Sequence, residues 1–117
     1  MKSAALAAFI VLAMALAPGV HAHSGLVASS PADGKTVKGE VSRIKLKFSQ
    51  AVRVTLVRVR SQDADPVEPK SDLPAAFVQT VEVAVPTLDP GTYDAKWTAV
   101  AQDGHVMSGA FSFTVAD

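Results

Sequence analysis

Apolar and polar residues alternate with period two along most of this chain. Ile44, Leu46 and Phe48 alternate with Arg43, Lys45 and Lys47, the pattern of a strand with one buried face. Val52, Val54 and Leu56 continue it against Arg53 and Thr55. The phase then slips, because Val57 and Val59 are apolar while Arg58 and Arg60 are not. A one-residue slip of this kind predicts a β-bulge. Three more alternating runs follow, on Val81, Val83 and Val85, on Tyr93, Ala95 and Trp97, and on Phe111, Phe113 and Val115. A weaker strand is expected around Leu26 to Ser29, and no segment carries a convincing helical period.

Turn signals separate the runs. Ser30-Pro31-Ala32-Asp33-Gly34 is one and Leu88-Asp89-Pro90-Gly91 another. Residues Gln62 to Pro74, with three prolines and four acids, read as a polar loop. About seven short strands and no helix predict an all-β, immunoglobulin-like antiparallel β-sandwich. Tyr93 stands two residues after Gly91 at the start of a strand. It predicts a tyrosine corner, with the hydroxyl bonded back to upstream backbone. Trp97 shares the face of Tyr93 and should pack between the sheets.

The first residues have a different character. Lys2 gives a positive start, Ala4 to Pro18 an apolar stretch, and Val20-His21-Ala22 a cleavage-site pattern. That order predicts a signal peptide over residues 1–22, cut between Ala22 and His23, and an exported domain over 23–117. The apolar stretch is about 15 residues, short of the ~20 that span a bilayer, and no basic stop-transfer cluster follows. No membrane insertion is expected after processing. Removing residues 1–22 from 117 leaves 95, enough for one self-sufficient core. Ten basic against eleven acidic side chains then give a net charge of −1. That balance argues against nucleic acid or an anionic membrane as the main partner.

There is no cysteine, so disulfides, thiolate metal sites and cysteine nucleophiles are excluded. Metal chemistry must use nitrogen, oxygen or thioether donors. An N-terminal His23 would offer two donors on one residue, an α-amine with a reference pKa near ~8 and the ring Nδ1, which together close a chelate ring. Asp103 and His105 stand two apart in Gln102-Asp103-Gly104-His105, on the same side of an extended segment. Amine, two rings and carboxylate make three nitrogens and one oxygen. That set suits tetragonal Cu(II); Zn(II) could use the same donors, and Ni(II) fits less well. Each half also has a plain reading, since Asp-Gly is a common hairpin signal. Both histidines that survive processing fall in the set. Met107, where the last strand begins, is read as a packing residue, because a lone thioether makes a poor Cu(I) site.

These residues together resemble the CopC family of periplasmic copper-resistance proteins. The resemblance is carried by His21-Ala22-His23, Ser29-Ser30-Pro31-Ala32-Asp33-Gly34, Leu46-Lys47-Phe48-Ser49, Leu88-Asp89-Pro90-Gly91-Thr92-Tyr93, Trp97, Asp103-Gly104-His105 and Ser108-Gly109-Ala110-Phe111-Ser112-Phe113. It implies a periplasmic, monomeric, non-enzymatic protein that binds one Cu(II) per chain through His23, Asp103 and His105. Its role would be copper sequestration, delivery or resistance, with an inner-membrane copper transporter as partner. Two departures stand out. The stretch Ser61 to Phe77 has no Met and no His, so the Met-rich Cu(I) site of some members is missing. Val106 stands where the family usually has Pro, which should loosen the loop without removing a ligand. Two other readings remain open on the residues. One is a copper mono-oxygenase-like enzyme, which Asp103 would hinder by crowding an open position. The other is an immunoglobulin-like adhesion or assembly module that binds no metal.

Overall fold

A computed structural model describes residues 25–62 and 65–117. The expected signal peptide, its cleavage point and His23 lie outside the described residues. Seven strands follow in chain order: β1 Leu26–Ser30, β2 Lys35–Lys38, β3 Arg43–Ser61, β4 Pro66–Val67, β5 Val78–Ala84, β6 Gly91–Ala101 and β7 Val106–Ala116. No helix occurs among the described residues, and so none long and apolar enough to cross a membrane.

The architecture turns on β3. Its first part, Arg43 to Lys47, lies between β1 and β5, and its second, Val52 to Ser61, pairs with β6. One strand thus runs through both layers of the sandwich. The slip in its apolar phase is a bulge against β6 between Val54 and Leu56. Val52, Val54, Val57 and Val59 are all buried, while Thr55 and Leu56 both face out. The added residue keeps every valine on the core side as the strand bends. β6 and β7 pair along ten residues, from Gly91↔Val115 to Val100↔Val106.

Two features depart from the sequence reading. β2 pairs parallel with the end of β7, so the sandwich is not wholly antiparallel. The Ala32–Gly34 turn carries the chain from β1 across to the β7 edge, where Gly34 N donates to Ser112 O and Ser112 N to Asp33 Oδ1. Changing layers at the turn, instead of folding back in one sheet, sets the direction of β2. Within the loop expected over Gln62 to Pro74, Pro66 and Val67 add a short edge to β3.

The core is aliphatic around a few rings. Phe48 meets Trp97 edge-on, with centroids 5.1 Å apart, and Tyr93 stacks on Phe113 at 5.6 Å. The Tyr93 hydroxyl donates to Asp89 O at 2.7 Å, the expected tyrosine corner. Trp97 needs Gly109, its partner across the β6–β7 ladder. A Cβ at residue 109 would stand 2.8 Å from Trp97 Cζ2 and 2.9 Å from Nε1. The indole is fully buried against Phe48 and cannot retreat. Gly109→Ala should therefore lower stability by about 1–3 kcal/mol, the usual cost of overpacking, as read by chemical denaturation.

Candidate metal centre

The Asp103–His105 pair sits where β6 turns into β7, at one end of the sandwich. Gly104 N donates to Ala101 O at 2.9 Å, and Ala101 N to His105 O at 2.8 Å. Three residues, Gln102, Asp103 and Gly104, close the hairpin. A tight turn followed by a left-handed residue is the favoured three-residue connection, and Gly104 fills that position at φ +94°. The Asp-Gly pair is thus both a turn signal and the device that aims its neighbours. With Val106 after His105, the turn is closed by these two backbone bonds.

His105 and Asp103 make two contacts. The His105 backbone N–H donates to Asp103 Oδ1 at 3.0 Å, and ring Nδ1 lies 2.8 Å from Oδ2. An ionised carboxylate can only accept, so Nδ1 carries a proton, and a neutral ring held this way offers the Nε2 lone pair. The two side chains are 80% and 64% exposed, so their attraction adds little to folding stability. What the contact provides is orientation: a carboxylate partner on one ring nitrogen fixes the tautomer for a metal on the other. The backbone and ring hydrogen bonds from His105 hold the Asp103 carboxyl below the usual aspartate range. That lowered value means the carboxylate's interactions persist above the ordinary range and are lost only as pH falls through the lower, folded value.

Among the described residues no three His, Cys, Asp or Glu side chains converge as a metal cluster. Two of the three residues singled out in the sequence, Asp103 and His105, do come together. The third, His23, lies outside the described residues. Gly25, the first described residue, accepts through its carbonyl from Ser49 N at 2.8 Å. A Cβ at Gly25 would stand 3.4 Å from Met107 Sδ, so Gly25 lies against Met107, the second residue of β7. Gln50, Gln102, Asp103, His105 and Met107 line one shallow depression. Sequence reasoning missed the place of Met107 in it. The available signal was its place two residues after His105, at the start of the last strand.

The CopC domain model matches residues 26–116. This chain belongs to the CopC family. Copper resistance protein C of Xanthomonas campestris pv. juglandis is 28% identical over 97% of this chain and 96% of its own length. Protein YobA of Escherichia coli K12 is 31% identical over 84% of this chain and 82% of its own. The copper transport protein CutJ of Bacillus subtilis is 29% identical, but the match, 80% of this chain, spans only 18% of CutJ. Among solved structures, CopC from Methylosinus trichosporium OB3b superposes with a TM-score of 0.67 at 26% identity, covering 80% of this chain and 94% of that one. PcoC from Escherichia coli, described as a methionine-rich copper resistance protein, gives 0.59 at 25% identity, over 80% and 98% of the two chains. The β-sandwich read from the strand pattern is the fold of these CopC structures.

Proposed function

We propose that the chain is exported to the periplasm, cut between Ala22 and His23, and binds one Cu(II) there as a monomer. Copper is cargo, held by the His23 amine and ring, an Asp103 carboxylate oxygen and the His105 ring. The role is copper sequestration, delivery or resistance, with an inner-membrane copper transporter as exchange partner and no bond made in a substrate.

The observation that carries this reading is the Asp103–His105 pair at the β6–β7 turn, with ring Nδ1 held by the carboxylate and Nε2 turned to other use. Gly25, two residues after His23 in the sequence, lies against Met107, which lines the depression. Nitrogen and carboxylate donors suit Cu(II), which tops the affinity order of divalent metals for such sets. The family relatives named for copper resistance and copper transport support the same metal.

Imidazole and amine nitrogens bind metal only after losing their protons, so affinity should fall as pH drops through ~6–7. Asp103 is already ionised there, because its carboxyl is held below the aspartate range. The fall should therefore follow the nitrogens. The reading is tested by anaerobic Cu(II) titration of the chain beginning at His23, followed by EPR. One equivalent should bind tightly with nitrogen hyperfine coupling. A spectrum without nitrogen coupling, or several weak equivalents, would overturn it.

A further inference from the structure

β7 runs from Val106 to Ala116, yet β2 covers only its end, from Phe113 to Ala116. Before that point, the edge of β7 away from β6 has no strand beside it among the described residues. The ladder shows which backbone groups lie on that edge. Ala101 N on β6 donates to His105 O, so the odd-numbered residues of this segment bond toward β6. Ser112 faces the other way: its carbonyl accepts from Gly34 N at 2.7 Å and its N–H donates to Asp33 Oδ1 at 3.0 Å. Alternation then puts the N–H and C=O groups of Val106, Ser108 and Ala110 on the open edge. All three residues are exposed. Native sheets blunt such edges with charged side chains or proline, but Val106 to Phe111 carries neither.

The open edge borders a groove of about 590 Å³ between β7 and β1, with Val27 and Ala28 on one wall and Ser108, Gly109 and Ala110 on the other. Val27 is 56% exposed there. The buried indole of Trp97 also lines the groove, beneath Gly109, and its Nε1 is buried with no hydrogen-bond partner among the described residues. A buried donor left open is costly, and this one lies where a groove ligand could bring an acceptor. We propose that the groove docks an extended, uncharged segment of a partner protein, which adds to the free edge of β7 as a further strand. The inference is independent of the copper reading. An added strand satisfies the Val106, Ser108 and Ala110 groups through its main chain, and its groove-side residues cover Val27 and Ala28. A polar group on that side meets the Trp97 N–H. The one charged side chain lining the groove, Asp33, already accepts from Ser112 N, so nothing there calls for a charged segment. Because β1 walls the far side, the space suits a single extended segment better than the two-layer edge of a second copy.

The test is an NMR titration of the metal-free chain beginning at His23 with a short acetylated and amidated peptide of alternating Thr and Val. The amides of Val106, Ser108 and Ala110 should shift saturably and exchange with solvent more slowly. The indole N–H should shift with them, and its signal is unambiguous because the chain has one Trp. Ser108→Pro removes an edge N–H that makes no bond to β6, a place where a strand tolerates proline, and should weaken peptide binding about tenfold or more. Ala110→Lys keeps the backbone and sets a charge on the edge, so it should weaken binding as well and decides the matter should the proline variant fail to fold. Absence of a saturable shift, shifts confined to other strands, or undiminished binding in the folded variants overturns the proposal. Edge shifts that grow with protein concentration before any peptide is added would make the occupant a second copy and overturn it equally.

Discussion

Substituting His105 by Ala should weaken Cu(II) binding by more than ~100-fold, since loss of a residue that merely orients a ligand already costs 10–100-fold. The change removes one of three proposed nitrogens and leaves the Asp103 carboxylate without its ring contact. It should leave the fold alone. The His105 side chain is 80% exposed and its hairpin is closed by backbone bonds from Gly104 N and Ala101 N. Competition titration against a chelator of known affinity gives the first quantity, and circular dichroism the second. Asp103→Asn is the informative companion. It preserves a turn-forming residue but removes the charge, so binding should weaken about 10- to 100-fold, whether the carboxylate meets the metal or only aims His105. Unchanged Cu(II) affinity in the His105 variant would remove the visible half of the proposed site.

The second large effect concerns stability. Trp97→Ala should cost about 3–5 kcal/mol, the range for truncating a large buried aromatic. Trp97 is 1% exposed, meets Phe48 edge-on and covers Gly109. Domains of this size carry only about 5–15 kcal/mol in total, so the loss is a large share. Denaturant unfolding of the metal-free chain is the proper readout, because bound copper would add stability by mass action. Trp97→Phe should lose much less. It keeps aromatic bulk and removes an indole N–H that is buried without a hydrogen-bond partner among the described residues. A loss below ~1 kcal/mol for the Ala variant would mean that the sandwich does not depend on this contact.

Much of the fold was legible because its physics is local. Period-two alternation in β3, β5, β6 and β7 marks a strand with one buried face, and in each of them the buried valines and aromatics fall on the expected side. The bulge was visible as a change of phase between Leu56 and Val57. The tyrosine corner was visible because Tyr93 follows a turn by a fixed offset. Two things were not local. β2 has one apolar residue in four, and only its partner on β7 makes it a strand. The passage of β3 between layers depends on which strands pair with each half, and alternation alone does not carry that information.

The candidate site divides along the same line. Asp103, Gly104 and His105 are neighbours in sequence, so turn chemistry and the i, i+2 rule bring them together. Gly25 and Met107 are 82 positions apart. Their contact follows from β1 lying across the sandwich from β7 at the end where the hairpin turns. Met107 reads as a packing residue and does pack against the core, with Gly25 beside it. His23 is conditional in a different way, since its amine exists as a ligand only once the peptide bond to Ala22 is cut.

That condition also supplies the most direct test of copper binding by the processed chain. Cu(II) EPR should be compared between the chain beginning at His23 and one retaining Ala22 ahead of it. The two have the same fold and side-chain set for residues 23–117, and differ in whether the residue 23 nitrogen is an amine or an amide. One tight Cu(II) with amine and imidazole nitrogen coupling is expected in the first, and a changed spectrum with sharply weaker binding in the second. Identical spectra and affinities in the two proteins would contradict that expectation.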